Sequence, residues 1–312
     1  MAASPDLLRR LELTITRRLD GLLHGDHRGL VPGHGSEPGE TRIYQPGDDV
    51  RRIDWNVTAR LQAPYVRETI ADRELETWLL VDLSASLEFG TADHTKREQA
   101  LAAAAAVGFL TARGGNRIGA VIAAGPGNAT IIPAKSGRDH LRGVLHRIQT
   151  VSVADGGGAT DLPAALERLA RTARRRGLVV LISDWLDDDP GTPLSPGGRF
   201  PWEMPLRRLA VRHETLCVEV LDPRELELPD VGVIELVDPE SGRRREVQTG
   251  DARLRARYAA AAAARRERLT ATIRAAGADH LVLRTDRDWL ADVVRFVASR
   301  RQRAAALARS GS

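Results

Sequence analysis

The chain has 312 residues, enough for one large domain or two ordinary ones, and a net charge of +4. It is 42% hydrophobic but only 4% aromatic, so its core is built mostly from Ala, Val, Leu and Ile, and its single cysteine, Cys217, excludes an internal disulfide. The basic excess is dominated by Arg and spread along the chain, as on a solvated surface. Residues 1–11 contain no apolar segment of the secretory kind, and the longest apolar stretch, 101–110, is too short to span a bilayer. The sequence therefore predicts a soluble, cytoplasmic protein without a membrane span.

Leucines and an isoleucine at three- and four-residue spacings predict an amphipathic helix over 5–23. Residues 24–49 are rich in Gly and Pro and read as loop, with a short extended piece at 41–44; its three histidines, His24, His27 and His34, have no metal-box spacing. Residues 50–69 read as a short helix mixed with strand pieces. From 74 onward strands and helices alternate. A strand is expected over 75–81. A Thr95-x-x-Glu98 capping box then opens a helix that runs to 113. The strands 117–124 and 129–133 form an antiparallel hairpin around Gly125-Pro126-Gly127-Asn128. Helices follow over 138–149 and, after a glycine-rich loop, over 162–175. The all-apolar strand 178–182 must be buried on both faces. Further on are a helix near 205–211, a strand over 215–220 and a second hairpin made of 231–237 and 243–248. A long Ala/Arg helix covers 251–276, followed by a strand at 279–283 and a final helix from 287 to about 307. This alternation predicts an α/β fold of three layers, a mostly parallel sheet flanked by helices. The division is an N-terminal helix and strand segment (1–73), the α/β domain with hairpin insertions (74–300) and a C-terminal helix end and tail (301–312). Cys217 lies in an apolar strand and reads as a small core residue.

The strand over 75–81 empties into Asp82-Leu83-Ser84-Ala85-Ser86, which places a carboxylate and two hydroxyls just past its end. Thr160 follows the Gly156-Gly157-Gly158 loop, and Asp184 follows the apolar strand 178–182. In open parallel sheets ligands bind at the carboxyl ends of strands. Asp82, Ser84, Ser86, Thr160 and Asp184 form an oxygen-only set suited to a hard divalent cation, Mg²⁺ or Mn²⁺. Taken singly, Asp82 reads equally as a helix cap, Thr160-Asp161 as a cap with an acidic first turn, and Asp184 as a turn residue. Trp185 either rims the site or covers the core.

This set resembles the von Willebrand factor A domain and its metal-ion-dependent adhesion site, with all five positions filled. The resemblance implies a Rossmann-type sheet over about 74–300, with an ion whose shell an acidic group of a ligand completes. A more specific likeness lies upstream. Tyr44-Gln45-Pro46-Gly47-Asp48-Asp49-Val50-Arg51-Arg52-Ile53-Asp54-Trp55-Asn56, Tyr65-Val66-Arg67-Glu68, Leu228-Pro229-Asp230-Val231-Gly232 and Asp238-Pro239-Glu240-Ser241-Gly242 resemble the DUF58 family. That resemblance implies a partner, a MoxR-type AAA+ ATPase, and membership of the subgroup without N-terminal transmembrane helices.

On residue chemistry, Arg51, Arg52, Asp54, Arg67 and Glu68 form a candidate ion-pair network with Trp55 and Tyr65 as its apolar anchor, serving either as packing or as a partner contact. The leading expectation is a non-enzymatic, metal-dependent protein-interaction module that works with the ATPase on a client protein whose identity the sequence does not give. One alternative is a metal-dependent phosphohydrolase with Asp82 as nucleophile; the second Asp such enzymes place two residues later is here Ser84, and no Walker A pattern occurs. Another is nucleic-acid binding through Arg174-Arg175-Arg176 and Arg243-Arg244-Arg245, short clusters with no reader motif, so no nucleic-acid partner is expected.

Overall fold

The computed structural model describes residues 8, 11–15, 41–44, 53–61, 63–67, 76–112, 116–152, 159–186 and 198–310. Its centre is a six-stranded sheet. The elements in chain order are β1 (Thr41–Ile43), α1 (Trp55–Leu61), β2 (Tyr65–Arg67), β3 (Glu76–Asp82), α2 (Lys96–Ala112), β4 (Arg117–Ala123) and β5 (Ala129–Lys135). They continue with α3 (Arg138–Thr150), α4 (Leu162–Thr172), β6 (Gly177–Ser183), α5 (Glu203–Arg212), β7 (Glu214–Leu221), β8 (Val233–Val237) and β9 (Arg244–Gln248). The last three are α6 (Ala252–Ala275), β10 (Asp279–Arg284) and α7 (Trp289–Ser310).

The sheet order is β10-β7-β6-β3-β4-β5, parallel throughout except for β5, which pairs antiparallel with β4. β1 pairs with β2, and β8 with β9, as separate two-stranded ribbons. Two apolar clusters lie on the two faces of the sheet, which gives the expected three layers. One joins Leu79, Val81, Ile118, Val180 and Val218 to the buried Ala-rich face of α2, and to α3 and α7. The other joins Trp78, Leu80, Leu181 and Cys217 to α4, α5 and α6. β3 is buried at every position, as a central strand covered on both faces must be. Gly119 is fixed by packing, because a Cβ there would stand 2.7 Å from the Trp78 ring.

The Thr95/Glu98 capping box forms as expected, with Thr95 N donating to Glu98 Oε2 (3.0 Å) and Glu98 N to Thr95 Oγ1 (3.2 Å). Several boundaries shift by a residue or more, two of them for a visible reason. α4 ends at Thr172 rather than 175, because the buried Ala173 leaves the helical region (ψ 77°) to turn the chain into β6. β5 runs through Pro133 to Lys135, which an edge strand tolerates. Among the described residues no helix is long and apolar enough to cross a membrane.

The upstream segment calls for a correction. Trp55 opens α1 and is 70% exposed, so it anchors nothing; the N-terminal turn of this short helix turns its ring to solvent. Asp54 caps that helix, its Oδ1 accepting from Val57 N (3.3 Å), and Tyr65 is half-buried. Arg51, Arg52 and Glu68 lie outside the described residues, as do His24, His27, His34 and most of the predicted helix over 5–23, of which 8 and 11–15 are helical.

Candidate metal centre

β3 and β6 are adjacent and parallel, so the residues after Asp82 and Ser183 leave the sheet side by side at its carboxyl edge. The buried Asp82 carboxylate accepts Ser84 N on Oδ1 (2.9 Å) and the Ser183 hydroxyl on Oδ2 (2.8 Å). The first bond is an Asx turn that folds the chain back into a short 3-10 turn, Ala85–Glu88. It brings the Ser84 and Ser86 hydroxyls within 3.0 Å of each other. Ser84 precedes that turn but makes no side-chain cap, so its hydroxyl is not spent there.

Thr160 lies just before α4, and the capping is done by its neighbour: Asp161 Oδ1 accepts Ala164 N (2.9 Å). Thr160 Oγ1 is left buried with no partner in hydrogen-bonding geometry, although it stands near enough to Asp82 to favour the ionised carboxylate. An orphaned buried hydroxyl is uncommon and calls for a ligand or a role. Asp184 Oδ1 accepts Leu186 N (3.2 Å), and Oδ2 lies 2.6 Å from Lys96 Nζ. The Lys96 ammonium also reaches Glu225 Oε1 at 2.5 Å. Burial disfavours its charge, but the carboxylates of Asp184 and Glu225 outweigh that, and its pKa is raised.

Negative charge is nevertheless in excess. Asp82 is pushed up to about 6, by burial first and then by Asp184, against the donors Ser183 and Ser84 N and the nearby Thr160 hydroxyl. Glu225 is raised by burial and by Asp184, despite Lys96. Glu240, in the turn of the β8–β9 hairpin, is pushed up to about 7 by burial and then by Asp184, Asp82 and Asp238, with the Ser86 hydroxyl offsetting part of the effect. The Lys96 ammonium thus pairs with two carboxylates, Asp184 and Glu225, while Asp82 and Glu240 add to the local negative charge. This oxygen-only, charge-deficient set fits a hard divalent cation. Among the described residues no three His, Cys, Asp or Glu side chains are gathered closely enough to hold an ion.

Asp82, Ser84, Ser86, Thr160 and Asp184 therefore meet at one edge of the sheet. Trp185 covers the core: its ring is fully buried, 4.9 Å from the Trp202 ring, and its Nε1 donates to Val218 O (3.2 Å). Sequence reasoning missed Lys96, Ser183, Glu225 and Glu240. Lys96 did carry a signal, because the first position of a helix is a poor place for a cation and needs a compensating anion. The run Asp187-Asp188-Asp189 lies outside the described residues.

An α/β protein with a sheet-edge oxygen site is the class these features define. Residues 40–268 match the model of the family described as "Protein of unknown function DUF58", and the chain belongs to that family. It is 57% identical over 299 residues to an uncharacterized protein of Mycobacterium tuberculosis (strain ATCC 25618 / H37Rv), with 96% of this chain and 90% of the relative covered. A Mycobacterium avium protein is 49% identical over 177 residues, covering 57% of this chain and 98% of its own length. Similar solved structures include the conserved hypothetical protein BatB from Bacteroides thetaiotaomicron, 14% identical with a TM-score of 0.40, covering 73% of this chain and 99% of that one. Another is the SpRpn10 VWA domain, 11% identical with a TM-score of 0.37, covering 70% and 93%.

Proposed function

We propose that this protein is a non-enzymatic, cytoplasmic interaction module that binds a partner through a divalent cation, Mg²⁺ or Mn²⁺, held by Asp82, Ser84, Ser86, Thr160 and Asp184. Its partner is a MoxR-type AAA+ ATPase, and the pair acts in the assembly or maturation of a client protein. The carrying observation is the buried Thr160 hydroxyl, which has no partner yet faces a carboxylate with an elevated pKa. Bound there, the cation supplies an electrophilic point for a partner Asp or Glu. The chain's own residues orient the donors: Ser84 N and Ser183 fix Asp82, and Lys96 with Leu186 N fixes Asp184. The ATPase partnership rests on the family resemblance.

The test is capture of the ATPase by the immobilised protein with and without Mg²⁺. Capture is expected in Mg²⁺ and lost in EDTA or on Asp82→Ala. Capture that is indifferent to EDTA sinks the metal-dependent reading, and turnover of a phosphoester lost on Asp82→Asn would replace it with a hydrolase.

A further inference from the structure

The helices of this α/β fold run back from the carboxyl edge of the sheet to its amino edge, so α4 and α5 end where β6 and β7 begin. Cations at such ends complement the helix dipole, and Arg171 and Arg212 supply them in the last turns. The chain then adds more positive charge than the dipoles ask for. Arg174, Arg175 and Arg176 follow α4 as an exposed run, and Arg207 and Arg208 stand exposed in the middle of α5. The two groups form one surface: α4 packs against α5, and Arg212 Nη2 donates to Arg174 O (3.2 Å). Acidic relief is thin. Arg207 reaches Glu203 at 3.7 Å and Arg175 reaches Glu76 at 3.8 Å, and solvent-exposed pairs this long contribute little.

The outer face of α5 is unusual for a second reason. The inner face buries Leu206 and Leu209. The outer face, at helical spacings of three and four, reads Met204, Arg207, Arg208, Val211, Arg212. Met204 is 43% exposed and Val211 81%. Two apolar side chains thus stand out among guanidinium groups, on the outside of a helix. A nucleic-acid backbone gains nothing from Met or Val, and the nearby Phe200 and Trp202 are buried and cannot stack on a base. A bilayer surface rewards both kinds of side chain. The apolar ones enter the headgroup layer, while the guanidinium groups stay with anionic headgroups.

We propose that this corner of the protein, Met204 and Val211 set among the arginines of α5 and of the 174–176 turn, docks on a bilayer surface rich in anionic lipid. The proposal goes beyond the cation-site reading and needs no metal ion. Each arginine near an anionic surface strengthens binding about fivefold. The attraction fades within a Debye length, roughly 8–10 Å at ordinary salt. The patch lies at the amino edge, whereas Asp82 and Asp184 stand at the other end of β3 and β6. β6 has seven residues, roughly 20 Å of strand, so a docked molecule holds its carboxyl edge beyond that field and open to a partner.

The test is co-sedimentation of the full chain with vesicles of phosphatidylcholine, alone or mixed with phosphatidylserine, in EDTA at low and at physiological salt. Pelleting is expected with the anionic vesicles only, and it should weaken as salt rises. The double variant Arg176→Gln/Arg208→Gln, at two exposed positions, should bind those vesicles about 25-fold more weakly. Val211→Ser should bind them about threefold more weakly. Thermal melts confirm that the variants fold. No pelleting with the anionic vesicles, or equal pelleting with the neutral ones, overturns the proposal, as does full binding by the folded double variant. Binding unchanged in Val211→Ser overturns it too, because the patch would then be a general polyanion surface; a gel shift of a short DNA duplex by the parent would identify it as a nucleic-acid contact. None of these results bears on the cation site, since EDTA removes any divalent ion.

Discussion

Asp82 and Asp222 occupy equivalent places, one ending β3 and the other just past β7, and both are buried at the same edge of the sheet. Asp222 is saturated. It accepts Thr91 N (2.8 Å), Thr91 Oγ1 (2.6 Å), Thr285 Oγ1 (2.8 Å) and Arg224 N (2.9 Å). Burial opposes its charge, but these donors outweigh it and hold the carboxyl below its usual range. Asp82 has two such bonds within normal geometry, faces Asp184, and is pushed up to about 6. Asp222 is a latch that ties the loop after β3 to the ends of β7 and β10. Asp82 is held short of donors, which is how a carboxylate stays available to something from outside.

The largest expected effect separates the two directly. Asp222→Ala orphans buried donors and should cost about 4 kcal/mol of stability, seen as a lower urea midpoint, with Mn²⁺ binding retained. Asp82→Asn should do the reverse, remaining as stable as the parent in EDTA but losing Mn²⁺. Equal destabilisation by both would make both of them latches and dissolve the contrast. Lys96→Met comes next. It leaves Asp184 and Glu225 facing each other unpaired, at a cost of about 3 kcal/mol, part of which saturating Mg²⁺ should restore; a denaturation series with and without the ion checks this.

The pH dependence sharpens the comparison further. Asp82 moves from an ordinary 3.8 to about 6 on folding, so the folded state holds the proton more tightly. The resulting stability is full below the unfolded pKa and is lost as pH rises through 6, with Glu225 and Glu240 raised in the same sense. Asp222, depressed, acts only at lower pH, where its contribution falls away as it protonates. At about 1.4 kcal/mol per pKa unit, the protein in EDTA should lose on the order of 2–3 kcal/mol between pH 4 and pH 7 through Asp82, and saturating Mg²⁺ should flatten the slope. Melts that gain stability over this range in EDTA would contradict the charge assignment. The smallest effect is that of Thr160→Val. It replaces an orphaned hydroxyl with a methyl of like shape, should change stability by less than about 1 kcal/mol, and should weaken Mn²⁺ roughly tenfold by EPR titration.

Much of the sheet was legible because β3 carries the apolar run 78–81 and β6 the run 178–182, and because the Thr95 box and the turn residues punctuate the helices. The five oxygen-bearing positions were legible as strand-end residues. Lys96 and its partners were not, since Asp184 and Glu225 stand 88 and 129 positions away and no local pattern encodes such a pairing. Glu240 was visible only as part of a turn motif, because where a free-standing hairpin points is decided by its stem contacts. Trp55 was misread because an aromatic residue beside charges looks like an anchor, whereas burial depends on which side of a short helix it occupies.

One backbone feature bears on how firmly Asp184 is held. Trp185, immediately after Asp184, has φ +58°, a conformation costly for a bulky residue at about 1–3 kcal/mol. Its indole is wedged against Trp202, and its carbonyl is gripped by Arg265. A chain clamped this way has no slack, so Asp184 leaves the end of its strand in one fixed direction, much as a jig holds a part for whatever is fitted to it.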